Sequence, residues 1–434
     1  MPDAPAGSGS RRLFLHGAGS ETPPLDPQAE RALVLASGDD VVCVTRAVDP
    51  EYLGFLSSLG LGPSAANVVV VAARPAIEGS LAERLLRAGG MMEQIAGRPG
   101  GTELVVHPGA GTADVFALAE ELAVVAGRRV PVHAASPELT ALAEARHRMR
   151  ERAVALGVPV APGEVAELPP FGRRRRDLEP LRLAIERQRR CTGRVLVRGA
   201  SGTGGPRYLV EPGGDDTDDV VGRIASRSDQ RTYLVEVMVE SAVGTTVHTR
   251  VEAGTGRAVI RALSDRRLGR GLTPMGTRYP TAARLGEAMA EWAVRLAESL
   301  GAEGFAGPVS FDFVEHRAAS GLPRAFLGDV CPRAAEATYA LALGGRLSAA
   351  AFVSGTVPTR AASFGALRQV LGRLLYDPDR GTGIVPYATG WLDQGRCPIV
   401  ALGPDRHQAS ELFGRAQALL APRPVDSPGG RLVS

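Results

Sequence analysis

The sequence predicts an α/β protein in three parts: a Rossmann-like α/β unit, a two-lobed α+β core and a small C-terminal α/β domain. Three observations predict it. Short β-branched runs alternate with helical patterns over the first third of the 434 residues. Glycine-rich turns then separate apolar strands through the middle. The strand–helix alternation resumes after about Ala361. The expected boundaries are 1–136, 137–360 and 361–434.

In the first part, strands are expected at 12–15, 41–45, 67–72, 103–107 and 130–133, and helices at 80–88 and 113–126. The continuous valine runs suit parallel strands buried on both faces. A single long helix is expected from Pro137 to about Leu156, stopped by Gly157 with Val158 and Pro159 beyond it. The stretch 168–177 reads as an exposed loop, with its arginine run 173–176 a solvated face. Strands follow at 194–198, 232–239, 245–252 and 257–262, and a loop at 264–280. A helix at 282–300 precedes strands at 308–315 and 325–330. The last part offers a helix at 367–375, strands at 383–389 and 397–402, and a closing helix at 405–420.

Composition narrows the function. No apolar run reaches the roughly 18 residues of a membrane span, and no N-terminal segment reads as a signal peptide, so a cytoplasmic protein without a membrane partner is expected. Cys43, Cys191, Cys331 and Cys397 are far apart, which argues against a disulfide framework or a zinc knuckle. The net charge of +3 is too balanced for a dedicated nucleic-acid binder. All 50 basic residues are arginine. Any phosphate site must therefore use guanidinium groups, and no lysine Schiff base can form.

Three glycine turns could cradle phosphate. His16-Gly17-Ala18-Gly19 and Pro108-Gly109-Ala110-Gly111 each offer GxG without a third glycine, a weak dinucleotide signal that fits a plain tight turn as well. The third, in VLVRGASGTGGPRYLV, sets Arg198 before Ser201-Gly202-Thr203-Gly204-Gly205. Such a hairpin can offer backbone N–H groups to a polyphosphate without side-chain clashes. Downstream, YLVEVMVE carries Glu236 and Glu240, GPVSFDFVEH carries Asp312, and LGDVCPRAAEATY carries Asp329 and Arg333. Acids amid apolar strands cost several kcal/mol unless paired. Mg²⁺ between two of them would relieve their repulsion, and so would local arginines.

In this order and spacing, these segments, with Ala155–Val160 ahead of them, resemble the ATP-grasp superfamily of carboxylate–amine ligases. The resemblance covers about 137–346. The unit ahead looks like a pre-ATP-grasp domain, and within the superfamily the chain is most similar to peptide ligases of the pheganomycin-biosynthesis type. The resemblance implies roles. Arg198 stands where the family has a phosphate-binding lysine, with Ser201, Gly202, Thr203, Gly204 and Gly205 as the loop over the phosphates. Glu236, Val237, Met238 and Val239 match the strand that reads adenine, with Glu240 a candidate for ribose. Asp312 and Asp329 match the Mg²⁺ ligands, and Arg333 the arginine at the γ-phosphate. Cys331 stands where the family often has a metal-binding asparagine. One of the basic residues at 146–150 stands where the family has a further lysine. Arg266 and Arg267 are candidates for holding a carboxylate or phosphate, Arg267 being counted among the catalytic residues.

The implied cofactors are ATP and Mg²⁺. The implied reaction joins an amino-acid-derived carboxylate to a peptide amine through an acyl phosphate, with a homodimer left open. A dinucleotide-dependent oxidoreductase and a nucleotide-binding regulatory protein are the competing readings.

Overall fold

The computed structural model describes residues 10–17, 27–71, 79–98, 103–169, 175–201, 207–211, 214, 216–227, 230–239, 243–269, 273–318 and 320–421. The chain forms two compact units. One holds 105–338, and the other joins 2–104 to 339–434.

The second unit opens with β1 (Ser10–Leu15), β2 (Val41–Val44) and β3 (Val68–Val70). Strand β2 pairs in parallel with both β1 and β3. All four β2 residues are buried, as expected of a strand covered on both faces.

Next come β4 (Glu103–Pro108) and α1 (Ala113–Ala126), which Gly127 closes in the left-handed conformation. The strand expected at 130–133 is reduced to one bridge, Val106 to Val132. The long helix expected over 137–156 is two: α2 (Pro137–Glu144) and α3 (Arg146–Ala155). Ser136 caps the first through the Leu139 N–H, with proline at its first position. Ala145, at φ −76° and ψ 93°, breaks the run and re-aims the second helix.

Two sheets follow within the unit of residues 105–338. β5 (Gly163–Glu167), β6 (Val195–Gly199), β7 (Arg207–Val210) and β8 (Thr232–Val237) make an antiparallel sheet in the order β5-β8-β6-β7. Helices α4 (Glu179–Thr192) and α5 (Thr217–Arg227) cover it, burying Leu181, Ile185, Val220 and Ile224 with Val197 and Val235. The other sheet has the order β13-β12-β9-β10-β11. Its strands are β9 (Val243–Val251), β10 (Ala258–Leu268), β11 (Pro274–Tyr279), β12 (Gly307–Arg317) and β13 (Pro323–Cys331). The segment expected as a loop at 264–280 is instead mostly strand. β10 runs on to Leu268 and pairs with β11, because Ser264, Asp265 and Thr277 find buried positions there.

Period-two alternation decides what this sheet presents. Phe311 and Phe313 turn to α6 (Gly286–Gly301) and pack with Met289, Ala293 and Leu296. Burying each phenylalanine contributes about 1.5–3 kcal/mol. Ser310 and Asp312 turn to the opposite face, with Thr246 and Ser264 from the neighbouring strands. One face is thus a hydrophobic core and the other is polar.

The C-terminal part of the second unit holds most of α7 (Glu336–Arg346), with β14 (Ala351–Pro358), α8 (Phe364–Leu371), β15 (Gly383–Pro386), β16 (Arg396–Gly403) and α9 (Arg406–Leu420). β16 lies between β14 and β15, antiparallel to each. No helix among the described residues is long and apolar enough to cross a membrane.

Candidate active site

The site lies in the unit of residues 105–338, where the end of α3 meets both sheets. Arg146 opens α3, and Arg150 follows one turn later on the same face. Arg146 Nε donates to Asp329 Oδ1 at 3.0 Å and its terminal nitrogens reach Asp329 Oδ2 at 3.3 Å and the Gly199 carbonyl at 2.8 Å. Arg150 meets Glu236 at 3.1 Å and the Ala161 carbonyl at 2.7 Å. Of the 146–150 segment, where one cation was expected, two residues thus contact the acids.

Arg198 is the penultimate residue of β6. It is buried, donates to the Gly328 carbonyl at 2.7 Å, bonds Glu236 at short range and lies 3.8 Å from Asp329. Burial works against its charge, but Glu236 and Asp329 more than offset this and raise its pKa. Arg207, on β7 directly across from Arg198, also lies 3.8 Å from Asp329. Burial, joined by repulsion from Arg198, Arg266 and Arg146, lowers its pKa.

Asp312 and Asp329 are cross-strand partners on β12 and β13. Asp312 accepts from Thr246 Oγ1 at 2.6 Å and from Arg266 at 2.9 Å. Burial pushes the Asp329 carboxyl up, but Arg198, Arg146 and Arg207 together hold it below the usual range. Five guanidinium groups, from Arg146, Arg150, Arg198, Arg207 and Arg266, thus meet three carboxylates, from Glu236, Asp312 and Asp329. The surplus positive charge suits an anion.

The stretch expected to read adenine is strand β8 and its exit. Val237 and Met238 donate their N–H groups to the carbonyls of Pro162 and Arg194, whereas that of Val239 makes no bond among the described residues. The Glu236 side chain is committed to arginines. Ser201 is held by Gln230, whose Oε1 accepts from the Ser201 N–H at 3.2 Å. Gly202, Thr203, Gly204, Gly205 and Glu240 lie outside the described residues.

Strand parity separates Arg266 from Arg267. Arg266 faces Asp312, and Arg267 points to the other face of β10, where burial and neighbouring Arg278 lower its pKa. The geometry assigns the contact with the acids to Arg266 and gives Arg267 no place beside them. Arg333 stands apart from both acids, 3.5 Å from Glu144. The second glycine turn is packed into the fold: a Cβ at Gly111 would lie 2.0 Å from the Ala135 carbonyl oxygen. In the first, Ala18 and Gly19 lie outside the described residues.

Asp312 and Asp329 fit Mg²⁺. They are hard oxygen donors side by side on adjacent strands, and Mg²⁺ commonly takes one or two carboxylates and completes its shell with phosphate oxygens and water. Among the described residues no third metal-ligating side chain joins them. Cys331 is no substitute, since burial pushes its thiol up to about 11.

Sequence reading missed Arg207 and Thr246 and left the choice among the basic residues at 146–150 open. Arg207 had a signal: a hairpin closing on the glycine loop brings the first residue after the loop opposite Arg198. Thr246 depended on strand register and the choice within 146–150 on helix direction, which the sequence did not announce.

Residues 29–124 match the family described as Pre ATP-grasp domain. No curated protein matches the sequence. Among solved structures, the chain is similar to an N5-carboxyaminoimidazole ribonucleotide synthetase in its ADP complex, at 12% identity, 94% of this chain, 96% of that chain and a TM-score of 0.55. A biotin carboxylase from Campylobacter jejuni matches at 14% identity, 95% and 91% coverage and a TM-score of 0.58. An N5-carboxyaminoimidazole ribonucleotide synthetase from Thermus thermophilus matches at 16% identity, 95% and 99% coverage and a TM-score of 0.54. The chain therefore carries a Pre ATP-grasp domain at 29–124 and has a mixed α/β fold similar to that of these solved structures.

Proposed function

We propose that the protein is an ATP-dependent carboxylate–amine ligase that joins an amino-acid-derived carboxylate to the amine of a peptide. The observation that carries this reading is the convergence of Arg146, Arg198 and Arg207 on Asp329, beside Asp312. A metal–triphosphate complex, with about two net negative charges, offsets the surplus of guanidinium groups over carboxylates. Structures titled as complexes with ADP and with ATP analogues share the fold.

Arg198 and Arg207 grip the phosphates, and Arg146 holds Asp329 in place. The Val239 N–H reads the purine edge. Mg²⁺ held by Asp312 and Asp329 would supply charge neutralisation at the transferring phosphate. Arg333 stabilises the charge that develops as a substrate carboxylate attacks the γ-phosphate. The amine then displaces phosphate from the acyl carbon and loses its proton, leaving the amide, ADP and phosphate. No protein nucleophile is required: positioning and fixed charge supply the catalysis.

The test is release of ADP and phosphate from Mg-ATP with pools of amino acids and peptides. The reading expects release that needs one carboxylate and one amine together. Release that ignores both pools, or nucleotide that does not bind at all, contradicts it.

A further inference from the structure

The second unit contains a guanidinium group with no task so far. Arg31 lies in the 3-10 turn Pro27–Val34, and its guanidinium carbon sits 4.6 Å from the ring centre of Trp391, 5.8 Å from Tyr339 and 6.0 Å from Tyr387. Tyr339 and Tyr387 are stacked, with ring centres 6.4 Å apart and planes 12° from parallel. The box is rigidly built. Thr389 donates its N–H and hydroxyl to Glu30 at 2.5 and 2.7 Å, and Arg46 bonds Asp393 at 2.7 Å and the Gly390 carbonyl at short range. A Cβ at Gly390 would lie 2.3 Å from Pro27, so only glycine lets this loop lie so close. His16 Nδ1 pairs with the Tyr339 hydroxyl at 2.9 Å.

Arg31 itself makes no hydrogen bond or ion pair among the described residues, and its Nε is buried and unpartnered. The nearby acids are committed: Glu30 to Thr389, and Asp393 to Arg46. Aromatic contact satisfies the faces of a guanidinium but leaves its in-plane N–H groups unfilled. Those groups match a carboxylate or phosphate two-to-two, and a buried donor left unpaired is costly.

We propose that Arg31, framed by Trp391, Tyr339 and Tyr387, is a binding site for the oxyanion of a small ligand. The site belongs wholly to the second unit and does not rest on the ligase reading. The sequence has two tryptophans, so Trp292→Phe leaves Trp391 as the only tryptophan reporter. In that background, intrinsic fluorescence is titrated at constant ionic strength with benzoate, inorganic phosphate and neutral benzamide. The proposal expects a saturable change with at least one anion and none with benzamide, and about a tenfold or greater loss of affinity in Arg31→Gln. Saturation by benzoate alone identifies a carboxylate ligand, and by phosphate alone a phosphate ligand. If Arg31→Gln does not fold, Arg31→Lys makes the comparison: it keeps the charge, loses the fork and should bind about tenfold more weakly. No saturable change with either anion, equal response to benzamide, or unchanged affinity in the folded variant overturns the proposal.

Discussion

Arg198 and Arg207 stand directly opposite each other on antiparallel strands. Side chains so placed have Cβ atoms about 5 Å apart, and like charges there destabilise a sheet. Asp329 and Glu236 relieve only part of the repulsion, since Arg146 and Arg150 draw on the same two carboxylates. The fold holds concentrated positive charge that a bound polyphosphate would neutralise.

Replacing Arg198 by methionine tests that arrangement. Nucleotide affinity, measured by titration calorimetry, should fall about ten- to a hundredfold. The fold should lose about 2–3 kcal/mol, because Glu236 keeps only Arg150 in its buried position. Unchanged affinity would remove Arg198 from the phosphate site.

Arg333→Ala should cut turnover by about 10²–10³, the range for losing one preorganised charge-stabilising donor. Arg333 and Glu144 are each about a third exposed, so the unfolding midpoint should hardly move. Near-normal ADP release would refute its role.

His248 sets a pH dependence. Burial lowers its pKa to about 4, and its Nε2 lies 2.9 Å from Ser264 Oγ. The unfolded chain takes up the proton near pH 6.5, so stability is full above about 6.5 and is lost as pH falls toward 4, by up to about 3 kcal/mol. Asp329, held below its ordinary pKa, adds a loss only under more acid conditions. Thermal midpoints between pH 4 and 7 should slope upward in the native protein and flatten in His248→Asn. An equal slope in both would reassign the effect.

Cys331 should be inert. Its thiol is pushed up to about 11 and that of Cys43 to about 12, while Cys191 is exposed. Iodoacetamide at pH 7.5, read by mass spectrometry of peptides, should modify Cys191 first. Cys331→Asn should keep activity. Loss of activity on alkylation that Cys331→Asn prevents would make the thiol functional.

Much of this site was legible in the sequence because alternation is a strong signal. In SFDFV, Phe311 and Phe313 had to face a core, so Asp312 had to face away from it. The register between strands was not legible. It turns on contacts 46 residues apart, such as Arg266 with Asp312, and one residue of slip would have selected Arg267. The break at Ala145 was hidden for a related reason. No glycine or proline marks it, and the Arg146 N–H leaves the helical pattern to bond the Ala200 carbonyl. The strand at 274–279 was obscured by glycine and proline, which tertiary pairing overrode.

The most direct measurement is a crystal structure with Mg²⁺ and a non-hydrolysable ATP analogue. The account predicts phosphate oxygens within hydrogen-bond distance of Arg198 and Arg207, the metal touching Asp312 and Asp329, and the purine against Val239. An analogue bound elsewhere, or phosphates bound with Arg198 still turned wholly to Glu236, would contradict it.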